Sequence, residues 1–430
     1  MNIEAAITRY LDLSPPPNAV QREVSQPSSD FIVSIIGPRR AGKTTYMLEF
    51  KEKLKIPKEN KIFLNCEDIN LLGIRSDDLQ TLEETMLRIY SPARGYGIYL
   101  FVDEVQNIPN WERWIRTLHD SGKYKIVVSG STSELSTHKM HSALRGRAIN
   151  TLILPFSFRE FLSAKKVEYA KYMPPHKQAA LEHLFDEYIN YGGYPSVVFS
   201  EDVNQKLLIL REIFDTVIQR DIIERQGIRQ FSTFRIFINS LLGSVGRQLS
   251  LRKMVNWLRS QGIEIGRQTA FNYLEAAEEV FLLYRHPPYT KRPRERLVNP
   301  KLYIVDSGIL SLVSGDYSKQ LENQVFVELL RRRVNMGYWL GSSGREVDFV
   351  INKNGELTLL QVTYSLSDHE TYEREISPLK EADGQLNADH LIILTKSEER
   401  KIKLGRKDII IQPAWKWFIT SYDESTPRKR

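Results

Sequence analysis

Short apolar runs alternate with amphipathic stretches along the first 155 residues of this 430-residue chain. The runs of strand length are FIVSII, KIFLNCED, IYLFVDE, YKIVVSGS and INTLILP. Between them lie stretches of helical periodicity, such as TTYMLEFKEKL and NWERWIRTLHDSG. Strands that alternate with helices predict a parallel sheet covered on both faces, and therefore an α/β fold for this region.

The pattern changes twice further along the chain. A mainly helical region, interrupted by the loop YGGYP, leads into helices that end in a strongly basic stretch. The last region returns to strands and helices, with a hairpin formed by REVDFVI and TLLQVTY. The predicted parts are 1–28 (short helix and linker), 29–155 (α/β core), 156–228 (helical lid), 229–300 (helix-turn-helix) and 301–430 (a second, smaller α/β domain).

Composition adds few constraints. The net charge of +7 and the pI of about 9.1 are compatible with an anionic partner such as nucleic acid. Cys66 is the only cysteine and the eight histidines show no ligand spacing, so neither a disulfide framework nor a zinc site is predicted. No signal peptide is recognisable and the apolar runs are too short to span a membrane, so we expect a cytoplasmic protein without a membrane partner.

The stretch GPRRAGKTT fits the phosphate-loop pattern G-x-x-x-x-G-K-[ST] and stands between a strand and a helix, as that motif requires. Its backbone N–H groups would converge on phosphate oxygens, Lys43 would reach the β- and γ-phosphates of ATP, and the Thr44 hydroxyl would hold Mg²⁺. The predicted nucleotide-binding residues are Gly37, Pro38, Arg39, Arg40, Ala41, Gly42, Lys43, Thr44 and Thr45.

The stretch YLFVDEVQ, about 60 residues later, supplies two carboxylates at the end of an apolar strand. Asp103 is placed to hold the hydrated Mg²⁺ together with Thr44. Glu104 can polarise the attacking water as general base. The two motifs together predict ATP hydrolysis with Mg²⁺.

These motifs, with VQNIPNWERWIRTLHDSG and IVVSGSTSEL…ALRGRAINTLILPFSFREFL, resemble the prokaryotic and archaeal AAA+ ATPases of the AAA_14-like group over residues 15–420. The resemblance implies a winged helix and a restriction-endonuclease-like domain after the ATPase core. It makes Ser131, or Ser129, the γ-phosphate sensor, and Arg145 and Arg147 an arginine finger acting in a neighbouring subunit. A finger that acts in trans requires a homo-oligomer, and the resemblance implies a ring, with a hexamer as one arrangement. The alternative is that LRGR is a solvated basic turn.

The stretch LSLRKMVNWLRSQGIEIGRQTAFNYLEAAEEVFLLYRH reads as helix, turn, helix and strand, the order of a winged helix-turn-helix. Its second helix would offer Arg267, Gln268 and Asn272 to DNA or RNA. The following basic stretch would form the wing, with phosphate contacts from Lys291, Arg292, Arg294 and Arg296. A packing or oligomer-contact module without nucleic acid is the alternative.

The C-terminal region resembles the PD-(D/E)xK nuclease core, which maps onto Glu322 (or, less well, Glu328), Asp348, Gln361 and Thr363. Gln361 offers Mg²⁺ only a neutral carbonyl, and Thr363 supplies no positive charge. The pattern therefore favours a nucleic-acid-binding relic over an active nuclease. A structural or protein-contact domain is a further possibility. A displaced lysine would be Lys353 or Lys380.

The resulting hypothesis is an oligomeric AAA+ ATPase that couples ATP hydrolysis to remodelling of, or translocation on, DNA or RNA. A second hypothesis is an ATP-dependent switch or scaffold whose C-terminal domain recruits a protein. A third is an ATP-gated nuclease.

Overall fold

The computed structural model describes residues 1–24, 30–131, 146–170, 173–290 and 299–420. The chain divides into two compact units. The first is Met1–Pro155 with Glu279–Phe281, and the second is Phe156–Glu278 with Leu282–Arg430. Among the described residues, no helix is both long and apolar enough to cross a membrane.

The first unit is built on a parallel sheet. Its strands are β1 (Ile32–Ile36), β2 (Lys61–Asn65), β3 (Ile98–Asp103), β4 (Tyr124–Gly130) and β5 (Ala148–Leu152). Within the described residues the sheet has five strands, in the order β2-β3-β4-β1-β5, and every pairing is parallel. All five residues of β1 are buried, as expected for a central strand of a covered parallel sheet. The predicted parallel α/β sheet is confirmed.

The helices of the first unit pack their apolar residues on this sheet. They are α1 (Ile3–Thr8), α2 (Lys43–Lys53), α3 (Leu79–Tyr90) and α4 (Trp111–Asp120), with 3₁₀ turns at Lys58–Asn60, Ile69–Leu71, Ser76–Asp78 and Val105–Asn107. Met47 and Phe50 of α2 share a core cluster with Phe63 and Phe101 of the sheet. The predicted N-terminal helix stops at Thr8, and α1 contacts α3 and β2.

The second unit begins with helices. They are α5 (Phe158–Ala164), α6 (Pro175–Tyr191), α7 (Pro195–Val198), α8 (Val203–Thr216), α9 (Phe231–Leu242), α10 (Leu251–Ser260) and α11 (Arg267–Glu279). A π-helical segment, Val217–Glu224, continues α8. Phe234 and Phe237 of α9 pack against the Tyr273 ring of α11.

A two-stranded antiparallel sheet follows these helices. It consists of β6 (Leu283–His286) and β7 (Lys301–Ile304), with His286 opposite Lys301. The chain between the two strands contains residues 291–298, which lie outside the described residues. Three helices, α9, α10 and α11, therefore precede this hairpin. The helix-turn-helix and strand predicted from the sequence correspond to α10, α11 and β6, and α9 was not part of that prediction.

The last part of the second unit is a mixed sheet with helices. Its strands are β8 (Asn335–Leu340), β9 (Glu346–Lys353), β10 (Glu356–Val362), β11 (His390–Thr395), β12 (Arg400–Leu404) and β13 (Lys407–Pro413), and its helices are α12 (Ser307–Ser311), α13 (Tyr317–Arg331), α14 (His369–Leu386) and α15 (Ala414–Ile419). In the described residues the strand order is β12-β13-β11-β10-β9-β8. Asn354 and Gly355 both have positive φ, which suits the tight turn of the predicted β9-β10 hairpin.

The loop YGGYP is held by a buried carboxylate. Asp306 accepts hydrogen bonds from the backbone N–H of Gly193 at 2.8 Å and of Gly308 at 2.9 Å. A Cβ atom at Gly192 would lie 1.7 Å from Asp306 Oδ1, and one at Gly193 would lie 2.3 Å from the Phe156 carbonyl oxygen. The two glycines are therefore needed because side chains would collide with the groups that fix this loop.

Candidate functional site

The loop between β1 and α2 has the backbone geometry of a phosphate-binding loop. Gly37 has φ +145°, and a Cβ atom there would lie 2.0 Å from the Ile153 carbonyl oxygen. Gly42 has φ +94° and immediately precedes α2. Both positions require glycine, and the loop leads directly into the N-terminus of a helix, where free backbone N–H groups can bind an anion. This arrangement suits a nucleotide phosphate.

Lys43 begins α2 and is buried. Its Nζ donates to the Pro38 carbonyl oxygen at 3.0 Å and lies 3.8 Å from Glu104 Oε1. The ammonium is thus folded back over its own loop and faces the carboxylate of the second motif. A cation in this position can neutralise phosphate charge.

Thr44 and Asp103 bring the two motifs together. The Thr44 hydroxyl donates to Asp103 Oδ2 at 2.7 Å. The Ser129 hydroxyl, at the end of β4, donates to Asp103 Oδ1. Burial raises the pKa of the Asp103 carboxyl, although the bonds from Ser129 and Thr44 oppose this rise. A hydroxyl and a carboxylate side by side are oxygen donors of the kind Mg²⁺ prefers, so these residues fit the predicted ion.

Glu104 stands at the end of β3 in the left-handed conformation, with φ +51°. Its backbone N–H donates to Ser129 Oγ at 3.1 Å. Its Oε2 accepts from the backbone N–H of Ser131 at 3.2 Å and from the Gln106 side-chain amide. The carboxylate is therefore held beside Lys43 and the phosphate loop.

Ser129 and Ser131 have different surroundings. The Ser129 hydroxyl is committed to Asp103 and Glu104, so it positions these two acids. Ser131 follows β4 and contacts Glu104 through its backbone N–H. The geometry therefore favours Ser131 over Ser129 for contact with a γ-phosphate.

Two residues that sequence reasoning missed support this site. Arg22 is buried and donates to the Ala41 carbonyl oxygen at 2.9 Å and to the Leu154 carbonyl oxygen, so it links the phosphate loop to the chain after β5. Gln106 donates to the Glu104 carboxylate. The pattern DEVQ placed Gln106 next to the acids, whereas nothing local indicated Arg22.

The predicted arginine finger lies away from this site within its own unit. Arg147 precedes β5, and its Nε lies 3.1 Å from Asp120 Oδ1. Ile32 and Ala148 pair at the amino end of the sheet, and Ile36 and Leu152 pair at the phosphate-loop end. Arg147 is five residues, or about 16 Å, from Leu152 along the strand direction. Arg147 therefore cannot act in its own site without a rearrangement. Arg145 lies outside the described residues.

The three predicted groove-facing residues lie in the first two turns of α11, and two of them, Gln268 and Asn272, are neighbours on one face. Arg267, Gln268 and Asn272 are exposed, and the Gln268 side-chain amide donates to Asn272 Oδ1 at 2.9 Å. Glu275, one turn further, is also exposed and limits the basic character of this face. The predicted wing residues Lys291, Arg292, Arg294 and Arg296 lie outside the described residues.

The predicted nuclease-like residues line one cleft of about 420 Å³ in the second unit. Glu322, Asp348, Gln361 and Thr363 all contribute to its wall. Lys301 of β7 reaches these acids from below. Its Nζ lies 2.9 Å from Asp348 Oδ1, 3.0 Å from Glu346 Oε1 and 3.4 Å from Glu322 Oε1.

The lysine that pairs with Asp348 and Glu322 is not one of the two predicted, and Lys319 also lines the cleft. Lys380 is exposed on α14, and Lys353 ends β9, five residues or about 17 Å along the strand from Asp348. Lys301 takes the position because β7 runs beneath the cleft. Burial alone would lower the pKa of the Lys301 ammonium, but Asp348 and Glu322 raise it well above its ordinary value.

Gln361 is occupied by hydrogen bonds to the protein. Its carbonyl oxygen accepts from the Asp348 backbone N–H at 3.1 Å, and its amide donates to Glu375 Oε2 at 2.6 Å. Asp348 Oδ2 accepts from the Val362 backbone N–H at 3.1 Å. The described residues contain no group of three or more His, Cys, Asp or Glu side chains arranged to hold a metal ion.

Comparisons with known proteins extend over nearly the whole chain. The AAA domain family matches residues 29–162, and two domains of unknown function match residues 182–320 (DUF8612) and 317–416 (DUF4143). The uncharacterized protein MJ1544 of Methanocaldococcus jannaschii is 33% identical over 399 residues, which cover 90% of this chain and 88% of MJ1544. An uncharacterized protein of Haemophilus influenzae is 32% identical over 366 residues, covering 82% of this chain and 88% of that protein.

Solved structures show more distant likenesses. The Walker-type ATPase PABY2304 of Pyrococcus abyssi is 12% identical, covers 72% of this chain and 94% of its own, and has a TM-score of 0.45. The Aeropyrum pernix Orc1 protein, solved in complex with DNA, is 12% identical, covers 72% and 89%, and has a TM-score of 0.28. With the family match and the geometry of the phosphate site, the chain belongs to the same family as MJ1544, and its residues 29–162 form the AAA domain of a P-loop AAA+ ATPase.

Proposed function

We propose that this protein hydrolyses ATP with Mg²⁺ and couples hydrolysis to the binding of DNA or RNA by its second unit. The observation that carries the ATPase proposal is the meeting of four side chains from two distant motifs. Lys43 faces Glu104 at 3.8 Å, and Thr44 is hydrogen-bonded to Asp103. Mg²⁺ bound there would neutralise phosphate charge and align the β- and γ-phosphates for attack.

The protein groups have separate tasks in this reaction. Thr44 and Asp103 would hold the ion, and Lys43 would bind the β- and γ-phosphates. Glu104 would accept a proton from the attacking water while Gln106 and the Ser131 N–H fix its carboxylate. Ser131 would sense the γ-phosphate. Each group acts through position and charge, which is the main protein contribution to phosphoryl transfer.

We infer that the site is completed by a second copy of the chain. Arg147 lies about 16 Å along the strand direction from the phosphate-loop end of the sheet, which supports a role in a neighbour's site rather than in its own. Its guanidinium would stabilise charge on the transferred phosphoryl group. A ring of subunits would satisfy this geometry. Arg145, in the same basic turn, is the second candidate.

We infer that α9, α10, α11 and the β6-β7 hairpin form a winged helix that binds nucleic acid. The support is the order of three helices and a hairpin, together with the exposed Arg267, Gln268 and Asn272 on α11. The basic residues between β6 and β7 would supply phosphate contacts. The acidic Glu275 argues against a long phosphate track along α11.

We infer that the C-terminal cleft is a catalytically inert nuclease-like site. The Lys301 ammonium lies between the carboxylates that would otherwise share a metal ion. Gln361 supplies a neutral group and is bonded to Glu375. The cleft is thus stabilised by an internal cation, and it would serve to hold the second unit together or to bind a partner rather than to cut DNA.

The test of the function is the rate of ATP hydrolysis by the purified full-length chain. Hydrolysis that requires Mg²⁺ and accelerates when DNA or RNA is added supports both parts of the proposal. Slow hydrolysis that nucleic acid leaves unchanged would favour the nucleotide-dependent scaffold instead. Absence of hydrolysis in the oligomeric protein would reject the ATPase.

A further inference from the structure

A cleft between α9 and α10 is lined by residues that have no role in the ATPase site. Its volume is about 470 Å³. Leu249 and Met254 provide apolar surface, Trp257 forms a wall, and Ser240, Ser244 and Lys253 provide polar groups. Trp257 is 53% exposed, although an indole of this size usually gains from burial. The exposed face of a tryptophan beside a cleft offers a stacking surface.

The chain segment that forms this cleft carries only basic charged residues. Residues 230–263 contain five Lys or Arg residues and no Asp or Glu. Arg247, Arg252 and Lys253 are exposed, and they form no ion pair among the residues that the structure describes. The only carboxylate in hydrogen-bond contact with a lining side chain, within the described residues, is Glu346. It accepts from Gln248 and is itself 3.0 Å from the Lys301 ammonium. A ligand of this cleft should therefore be anionic.

The helix geometry keeps the aromatic and basic groups together. Lys253 and Trp257 stand four residues apart on α10, so they neighbour each other on one helix face. Val255 and Leu258, on the other face, are fully buried. The α10 helix is thus fixed to the core by one side and presents a cation and an indole on the other.

From this arrangement we propose that the α9-α10 cleft binds an unpaired base of single-stranded DNA or RNA, stacked on Trp257. The phosphates on either side of the base would lie against Lys253 and Arg252. Stacking of a base on an aromatic ring combined with cationic contacts to the backbone is how proteins hold single strands without reading sequence. A paired base cannot reach the indole, so duplexes would not use this cleft. The inference rests on the proposed nucleic-acid function but assigns it a second surface, separate from the exposed face of α11.

The test is fluorescence anisotropy of labelled 20-nucleotide oligomers, (dT)₂₀ and (rU)₂₀, titrated with the full-length protein. Trp257→Ala should weaken single-strand binding roughly 10- to 100-fold, and Trp257→Phe should restore most of the affinity. Lys253→Ala should lower the dependence of binding on salt concentration. Affinity for a mixed-sequence duplex should change by less than about 2-fold in the tryptophan variants, because stacking needs an unpaired base.

A matched control is Phe231→Ala. Phe231 is 56% exposed and begins α9, whereas the cleft is at the other end of that helix, about 14 Å away. Single-strand affinity that falls equally in Phe231→Ala and Trp257→Ala, or in neither, overturns the stacking site while the wider nucleic-acid function stands. If the unaltered protein binds neither single strands nor duplexes, the proposed function and this inference both fail. If the protein binds acidic aromatic peptides but does not bind single strands, the cleft is a protein-binding site and the inference is rejected. The circular dichroism spectrum and basal ATP hydrolysis of each variant establish that it is folded.

Discussion

Lys301 and Asp348 form an ion pair of 2.9 Å between a strand of the two-stranded sheet and a strand of the C-terminal sheet. The lysine side chain is 1% exposed. Because Glu322 and Glu346 also lie within 3.4 Å of its Nζ, this one ammonium contacts three carboxylates. The interaction joins the two-stranded β6-β7 sheet to the C-terminal sheet within the second unit.

Removal of this ammonium should destabilise the protein. Lys301→Met leaves the carboxylates of Asp348 and Glu322, which are largely buried, without a counter-charge, and loss of one partner of such a pair costs about 3–5 kcal/mol. Lys380→Met, on the exposed side of α14, should change stability by less than about 0.5 kcal/mol. The free energy of unfolding in urea measures both. Equal stability of the two variants would show that the ion pair contributes little.

Gln106 should act as a positioning residue. Gln106→Ala removes the amide that holds the Glu104 carboxylate, so the base becomes less well oriented. We expect kcat for ATP hydrolysis to fall roughly 10-fold with little change in ATP affinity. Gln106→Glu should be worse, because a second carboxylate would repel Glu104. A change in the dissociation constant for ATP with unchanged kcat would place Gln106 in nucleotide binding instead.

Arg147 should contribute to hydrolysis only in trans. Arg147→Ala should reduce turnover about 10³-fold or more without reducing ATP affinity, because the guanidinium stabilises charge in the transition state. Mixing it with an excess of Lys43→Ala should restore some hydrolysis, since intact phosphate loops would then meet intact arginines. Normal turnover by Arg147→Ala rejects the finger and favours the solvated basic turn.

The carboxyl of Asp306 should make stability depend on pH. Burial raises the pKa of Asp306 from its ordinary 3.8 to about 7, so the folded protein favours the neutral form. The contribution of Asp306 to the free energy of unfolding is complete below pH 3.8, and it is lost as the pH rises towards about 7. Between pH 5 and pH 7 the protein should lose roughly 2 kcal/mol of stability that Asp306→Asn does not lose. If the free energy of unfolding changes equally with pH in both proteins across this range, the assignment is contradicted.

The ATPase core could be predicted because its signals are local. The strand of β1, the glycines of the phosphate loop and the pair Asp103–Glu104 each stand in a short stretch, and a parallel sheet brings strand ends to one edge. Arg22 and Lys301 could not be predicted. Lys301 meets Asp348 across 47 residues, and only the path of β7 under the cleft brings them together.

Only some strands of the C-terminal sheet could be predicted from the sequence. The hairpin strands β9 and β10 are predicted by their buried apolar runs, whereas β8, β12 and β13 are not. The sequence of β12 is RKIKL, and its residues are exposed or half-buried. Such an edge strand lacks the apolar run that marks a central strand. Glu375 was also missed, because it approaches Gln361 from α14 rather than from the hairpin.

The most direct test of the ATPase is the Mg²⁺-dependent rate of phosphate release from ATP. It is measured for the full-length protein and for Glu104→Gln, each with and without single-stranded and duplex DNA. We expect the unaltered protein to hydrolyse ATP faster with nucleic acid. We expect Glu104→Gln to bind ATP with unchanged affinity and to turn over at least about 100-fold more slowly under every condition. Wild-type turnover by Glu104→Gln would contradict the assignment of the general base. Hydrolysis that no nucleic acid changes would contradict the coupling.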